Sequence, residues 1–279
     1  MSTKTIVITR PSGQARQLIE VLTKAIEQSS IAKRSYPEIL SLPLLTIVPK
    51  DDEHLADHIA SALKDADLAI FVSPNAIESV MRLLERDWQD FSKRVIPIGV
   101  MGGSSALALK NHGIGHETTP TPIVMPSNSE QWDSEGLWQA LNRMESNWLN
   151  KKVVIFKGDG GRDWLADTLK KAGAVVKAIS TYGRVPLDIH NPAWHAIQEM
   201  DISKSLWLLT SSEAVRYLGQ VAKNPLLAGL QGLQNASALC PHRNIADTAQ
   251  AIGFGEVFTS EPGDEALIKA TLAWLKISQ

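Results

Sequence analysis

Cysteine and long apolar stretches are scarce in this sequence. The single cysteine, Cys240, excludes an internal disulfide framework and favours a reducing compartment. No apolar run approaches the roughly 20 residues that a membrane-spanning helix needs. The first residues, MSTKTIVITRP, lack the apolar core of a secretion signal. We therefore expect a cytoplasmic protein with no membrane partner.

An excess of charge of one sign is also missing. The 28 Lys and Arg residues are balanced by 30 Asp and Glu residues, and the formal net charge is -2. Because no block of basic residues occurs, we expect no nucleic-acid partner. The nucleotide-binding pattern GxxxxGK[ST] is absent. No apolar stripe demands a second subunit, so we expect a monomer.

What the sequence does contain is a complete βαβ unit in the middle of the chain. Residues 153–157 form a predicted strand, a glycine-rich turn follows, and a helix and a second strand over residues 174–181 complete the unit. Gly160 and Gly161 allow close approach of a ligand to the backbone, and the next helix begins with unpaired N–H groups. The turn is interpreted either as an anion site or as a tight turn without a ligand.

The same unit recurs at the beginning of the chain. Arg10 aligns with Lys157 and Gly13 with Gly160, and the segment AIFVSPNAI (69–77) pairs with WLLTSSEAV (207–215). The glycine-turn unit is the last of one copy and the first of the other. We therefore predict that one domain is inserted in the other. The outer domain comprises residues 1–43 and 184–279, the inserted domain comprises residues 46–181, and the active-site cleft lies between them.

Helical and strand patterns alternate through both predicted domains. The predicted helices span residues 55–63, 76–84, 137–148, 214–221, 245–252 and 267–275. Alternation of this kind is typical of an α/β fold with doubly wound, flavodoxin-like parallel sheets. In such a fold, ligands bind beyond the carboxyl ends of the strands.

Several familiar site types are disfavoured by the residues present. Asp163 stands where a dinucleotide-binding turn needs glycine or alanine, which argues against a nicotinamide or flavin cofactor. His54 and His58 lie one helical turn apart without a third ligand, so we interpret them as part of a solvated helix face. Cys240 and His242 could form a nucleophile and its base, but a small buried cysteine is the preferred interpretation.

Hydroxyl and basic side chains recur where strands pass into helices. Each serine alone predicts a helix N-cap. Together these groups suggest a cradle for several carboxylates or phosphates, and hence a polyanionic ligand. The residues are Arg10, Ser73, Ser104, Ser105, Lys157, Arg162, Ser211, Ser212, His242 and Arg243.

The motifs in their order resemble the uroporphyrinogen-III synthase family. They are VITRP, FVSPNAI, SSALAL, SEGLW, FKGDGGRDWLADTLKKAGAVV, YGRVP and LLTSSEAVRYL. The resemblance implies two α/β domains joined by a two-stranded β-ladder. It also implies an enzyme of tetrapyrrole (haem) biosynthesis, a lyase without metal or organic cofactor. Such an enzyme closes the linear tetrapyrrole hydroxymethylbilane to uroporphyrinogen III, with loss of water and inversion of ring D.

The resemblance further implies roles for individual residues. Tyr182 corresponds to the family's interdomain tyrosine and is the candidate proton donor to the leaving hydroxyl. Ser105 falls on the family's usual threonine, after a loop enlarged at residues 101–103. The implied substrate contacts are Arg10, Ser73, Asn75, Ser104, Ser105, Lys157, Gly158, Gly160, Gly161, Arg162, Ser211 and Ser212. The alternatives are a non-enzymatic bilobed protein that binds a polycarboxylate metabolite and, more distantly, a dehydrogenase.

Overall fold

The computed structural model describes residues 3–29, 36–85, 87–91, 94–115, 121–128 and 131–277. The chain forms two compact units. We call Met1–Thr46 together with Val185–Gln279 the outer unit, and Ile47–Arg184 the inserted unit. The domain boundaries predicted from the sequence, and the predicted cleft, stay predictions.

The described residues alternate between short strands and helices. The strands are β1 (Thr5–Ile8), β2 (Glu38–Ser41), β3 (Leu45–Pro49), β4 (Leu68–Phe71), β5 (Ile98–Val100), β6 (Ile123–Val124), β7 (Lys152–Gly158), β8 (Val175–Pro186), β9 (Ser205–Leu208), β10 (Ser237–Cys240) and β11 (Glu256–Thr259). The α-helices are α1 (Ser12–Glu27), α2 (Glu53–Lys64), α3 (Pro74–Leu84), α4 (Gly103–Asn111), α5 (Ser134–Met144), α6 (Trp164–Lys171), α7 (Ala193–Glu199), α8 (Ser212–Val221), α9 (Arg243–Ala251) and α10 (Asp264–Ile277).

The two sheets share one strand order. The outer sheet runs β11-β10-β9-β1-β2, and the inserted sheet runs β3-β8-β7-β4-β5-β6. Numbered from β1, the strands of the outer sheet have the flavodoxin-like order 2-1-3-4-5. Numbered from the glycine-turn strand β7, those of the inserted sheet have the same order, with β3 added at one edge. The pairs of the outer sheet are parallel, and in the inserted sheet so are β4–β5, β4–β7, β5–β6 and β7–β8. The predicted α/β class with parallel sheets is confirmed.

Helices cover both faces of each sheet because successive strand residues point to opposite sides. In the outer unit, Val7 packs in a cluster with residues of α7, α8 and α9, while its neighbours Ile6 and Ile8 pack with α1 and α10. In the inserted unit, Phe71 faces the cluster of α2, α3 and α4, and Ile70 faces that of α5 and α6. Both sheets are therefore doubly wound, as predicted.

One predicted helix is too long. The sequence predicts a helix over residues 137–148, but α5 ends at Met144 and Glu145 is extended. The Glu145 carboxylate accepts a hydrogen bond from the Asn147 backbone N–H, and the Asn147 side chain accepts one from the Leu149 N–H. Such local side-chain bonds compete with the helix for the backbone. Trp148 is buried in the core without belonging to the helix.

The chain passes between the units through β3 and β8, which are neighbours in the inserted sheet. Outside β3, the Lys50 N–H donates to the Thr181 carbonyl and the Leu187 N–H donates to the Leu44 carbonyl, both at 3.0 Å. The residue numbers of the two bonds rise on one strand as they fall on the other, so the strands run antiparallel. These two strands are the β-ladder that the resemblance implies. Among the described helices, none combines the length and apolar character needed to cross a membrane.

Candidate functional site

A surface cavity of about 320 Å³ lies in the inserted unit at the carboxyl end of β7. It is lined by side chains of the strand ends and of the segments that open α5 and α6. Three cationic side chains, Lys157, Arg162 and Arg184, face two acidic ones, Asp133 and Asp163. The lining also includes Gly158, Gly160 and Gly161. The structure therefore brings five of the predicted site residues together around one slightly cationic cavity.

The glycine turn between β7 and α6 needs its glycines for two different reasons. Gly160 and Gly161 have φ of 67° and 87°, a region that other residues enter at a cost. Gly158 instead lies against the ring of Tyr182. A Cβ atom at this position would be 2.6 Å from Cε2 and 2.7 Å from Cζ of Tyr182. The turn thus exposes backbone to the cavity at two glycines and accommodates an aromatic ring at the third.

Tyr182 lies on β8 and is fully buried. Its hydroxyl is 2.9 Å from Ser73 Oγ, and Nη2 of Arg184 donates a hydrogen bond to it at 3.0 Å. The Arg184 guanidinium also lies 5.1 Å from the centre of the Tyr182 ring. Tyr182 is not among the residues that line the cavity, whereas Arg184 is. The predicted proton donor is therefore held by two polar partners and closed to solvent.

Two of the three cations of the cavity, Lys157 and Arg162, are paired with acidic side chains. Lys157 pairs with Asp163, and its hydrogen bond lowers the pKa of that carboxyl. Arg162 pairs with Glu135 in the first turn of α5. Outside the lining, hydrogen bonds from Lys50 and then Ser180 lower the pKa of Asp159. An anionic ligand would either displace Asp163 and Glu135 from Lys157 and Arg162 or bind the backbone N–H groups of the turn.

The enlarged loop at residues 101–103 is packed beneath an indole ring. Cβ atoms added at Gly102 and Gly103 would come within 2.5 Å and 2.8 Å of the Trp132 ring. Met101 and Trp132 both line the cavity. Ser105 is buried and Ser104 is exposed, and neither lines the cavity. The loop therefore contributes an apolar wall to the cavity.

A sequence model of the family described as "Uroporphyrinogen-III synthase HemD" matches residues 11–269. The chain belongs to the uroporphyrinogen-III synthase family.

Two curated relatives agree with this membership. The chain is 26% identical over 271 residues to the uroporphyrinogen-III synthase of Escherichia coli, covering 95% of this chain and 98% of that one. It is 27% identical over 268 residues to that of Salmonella typhimurium, with the same coverage of both chains.

Solved structures that are similar in fold include a mutant uroporphyrinogen III synthase of Thermus thermophilus, with a TM-score of 0.61 at 15% identity, covering 99% of this chain and 100% of that one. Another is the Helicobacter pylori uroporphyrinogen-III synthetase, with a TM-score of 0.58 at 15% identity, covering 98% of this chain and 100% of that one. These likenesses support the same α/β fold.

The remaining predicted contacts are not among the residues that line the cavity. Asn75 is in the first turn of α3, next to the Ser73 cap. In the outer unit, Arg10 pairs with Asp264 at 2.6 Å, and Ser211 caps α8 by accepting a hydrogen bond from the Ala214 N–H. The Ser212 hydroxyl donates to the Asn244 carbonyl at 3.3 Å. Their roles toward a substrate stay predictions.

Sequence reasoning missed Arg184 and Trp132. Arg184 lies two residues after Tyr182 on the same strand, and side chains at this spacing share a face. That periodicity could have indicated Arg184, since it stands in the same YGRVP motif as the tyrosine. Trp132 precedes α5 and contacts the loop at residues 101–103. No local sequence pattern predicts a contact between residues this far apart in the chain.

Cys240 is buried and the two histidines of α2 are exposed, as the sequence predicts. Burial raises the pKa of the Cys240 thiol to about 12, so it is not a nucleophile at neutral pH. His54 and His58 are exposed on α2. Within the described residues, no group of three or more potential ligands is arranged to hold a metal ion.

Proposed function

We propose that the protein cyclises hydroxymethylbilane to uroporphyrinogen III, with loss of water and inversion of ring D. The family match over residues 11–269 is the observation that carries this proposal. The relatives from Escherichia coli and Salmonella typhimurium are both named uroporphyrinogen-III synthase, and the match covers almost their whole length. Nothing in the site favours the alternative of a non-enzymatic binding protein.

The cavity of the inserted unit is the proposed site for part of this substrate. The linear tetrapyrrole carries eight carboxylates, and the cavity combines three cationic side chains with a turn rich in backbone N–H groups. Its volume of about 320 Å³ lies at the lower end of the usual range for small-molecule sites, roughly 300–1,000 Å³. We therefore assign it one substituted pyrrole rather than the whole molecule.

Lys157 and Arg162 are the proposed carboxylate contacts in this cavity. Lys157 has a mostly buried side chain and Arg162 an exposed one, so the first would fix the position of a carboxylate and the second would assist its capture. Met101 and Trp132 supply an apolar wall for the ring that carries the carboxylate. Positioning of this kind can supply much of the catalysis in a ring closure, roughly 7 to 11 kcal/mol in well-oriented reactions.

The remaining predicted contacts belong to the same proposal. Arg10, Ser211 and Ser212 would serve further carboxylates from the outer unit. The protein would act as a monomer in the cytoplasm, with no nucleic-acid or membrane partner.

The test couples the purified protein to a source of hydroxymethylbilane. The porphyrinogens are oxidised and the isomers separated by chromatography. We expect isomer III in excess over isomer I, which forms without an enzyme. Formation of isomer I alone would contradict the proposed activity. A binding protein would retain the linear tetrapyrrole without changing the isomer ratio.

A further inference from the structure

The direction of the hydrogen bonds around Tyr182 can be worked out from its partners. Among the described residues, its hydroxyl contacts Ser73 Oγ and Arg184 Nη2. A guanidinium only donates, so Arg184 cannot accept the tyrosine proton. Because Tyr182 is closed to solvent, its hydroxyl hydrogen has to be accepted by Ser73. The bonds therefore run from Arg184 to Tyr182 and from Tyr182 to Ser73.

Ser73 is left with one free donor. Its Oγ accepts a hydrogen bond from the Ala76 N–H at 3.2 Å, which caps α3, and a second from Tyr182. A hydroxyl accepts two bonds and donates one, so the hydrogen of Ser73 has no part in either contact. Ser73 is half-buried and follows Val72, which lines the cavity. Its hydroxyl is therefore available to a ligand at this strand end, whereas that of Tyr182 is not.

Arg184 is held so that it keeps its bond to Tyr182. Its Nη1 donates to the Asp159 carbonyl at 3.3 Å, while the guanidinium lies over the tyrosine ring. A donor into the Tyr182 oxygen strengthens the bond that the tyrosine hydrogen makes to Ser73, since successive hydrogen bonds polarise one another. Gly158 leaves room for the ring in this position.

We propose that Ser73 is the catalytic residue that donates to the leaving hydroxyl of the substrate, and that Tyr182 and Arg184 are positioning residues behind it. This inference rests on the proposed function. When the C–O bond breaks, its electron pair leaves on the oxygen, which takes the Ser73 proton and departs as water. Ser73 recovers a proton from Tyr182 beside the Arg184 cation. The proton that the tetrapyrrole releases on ring closure returns to the tyrosine through Ser73.

Kinetics of single and double variants test the order of the chain. Ser73→Gly is the main variant, because glycine remains an acceptable N-cap and keeps α3 intact. We expect kcat to fall about 10²-fold in Ser73→Gly and in Tyr182→Phe, with KM changed less than about twofold. The double variant should be no slower than the slower single one. A Ser73→Gly variant with wild-type kcat, or additive losses in the double variant, would overturn the proposal.

Arg184 is tested by a pair of substitutions. Arg184→Met should lower kcat with little change in KM, and Arg184→Lys should recover part of the loss because it restores a cationic donor. A rise in KM at unchanged kcat would show direct carboxylate binding instead, and would contradict the positioning role. Asp52→Ala, which removes the side-chain cap of α2 in the same unit, is the control for cap loss and should keep full activity.

A spectroscopic measurement tests the contacts independently of turnover. The chain has three tyrosines, so ¹³Cζ-labelled tyrosine gives three NMR signals, and Tyr182→Phe assigns one of them. Arg184→Met and Ser73→Gly should each shift the Tyr182 signal, while Asp52→Ala leaves it in place. If the Tyr182 signal moves in neither variant, the proposed chain of hydrogen bonds through Tyr182 is wrong. If the wild-type protein forms isomer I alone, the proposed function fails instead, and the NMR result still reports on the contacts.

Discussion

The turn between β1 and α1 and the turn between β7 and α6 hold the same place in two sheets of one strand order, but they differ in structure. In the outer unit, Gly13 is part of α1 and the turn before it is short. In the inserted unit, Gly160 and Gly161 adopt positive φ, and the longer turn borders a cavity. A shared topology therefore places a strand end at the right location without making it a site.

The second difference concerns what stands beside each strand end. Ser73 and Ser211 cap α3 and α8 in the same way, each accepting a bond from the N–H three residues on. Behind Ser73 lie Tyr182 and Arg184, whereas β2 and the residues 42–46 that follow it include neither tyrosine nor arginine. The two copies share a cap, and the inserted unit adds a hydrogen-bond chain to it.

The largest expected difference between the two units is the effect of replacing a tyrosine on turnover. Tyr182→Phe is expected to lower turnover about 10²-fold, because the hydrogen-bond chain to the reacting group is lost. Tyr217→Phe in α8 removes a hydrogen bond to the Leu187 carbonyl. It should cost about 0.5–1.5 kcal/mol of stability and leave turnover unchanged. Isomer analysis and denaturant unfolding of both variants check this, and equal losses of activity would contradict it.

The close contact of Gly158 with Tyr182 provides the next test. Gly158→Ala should destabilise the protein by about 1–3 kcal/mol, because the methyl group overlaps a buried ring that cannot move freely. Turnover should fall as the ring is displaced. Adding Tyr182→Leu removes the ring and should recover part of the stability, as measured by chemical denaturation. Strictly additive losses would show that the two residues do not compete for space.

Alanine substitutions at Gly161 and Gly13 should change the free energy of unfolding in opposite directions. Gly161→Ala should cost about 1–2 kcal/mol, because alanine is disfavoured at a φ of 87°. Gly13→Ala should stabilise by up to about 1 kcal/mol, since Gly13 is helical and a Cβ there meets no atom within 4 Å. Unfolding free energies of the two variants decide the matter. A change of the same sign at both positions would remove the distinction between the turns.

The smallest expected effect concerns acid stability. The hydrogen bond from Lys157 lowers the folded-state pKa of Asp163 from its ordinary value of 3.8. The interaction therefore stabilises the protein above the unfolded-state pKa and is lost as the pH falls through the lower, folded-state value. Asp163→Asn should flatten the pH dependence of unfolding below about pH 4, and Lys157→Gln should do the same. The effect is small because Asp163 is exposed.

Much of the fold could be predicted because its signals are local. A serine cap, an apolar stripe and a preceding buried strand predict helices α3 and α8, and both helices form where expected. The helix predicted to reach Trp148 was wrong because Asn147 and Glu145 bind their own backbone, which hydrophobic spacing does not register. The site was harder to predict, since Trp132 reaches Gly102 only through the folded chain.

The sequence alone determined the strand-to-helix turns, the permuted repeat and the glycines of the β7–α6 turn, because each depends on neighbours along the chain. The tertiary structure decided which hydroxyl is free to donate. Tyr182, Ser73 and Arg184 form their chain across a parallel sheet, and strand pairing, rather than any local pattern, sets those distances. Burial of the tyrosine is the reason why we assign the donated proton to Ser73, which the sequence predicts as a helix cap and a substrate contact.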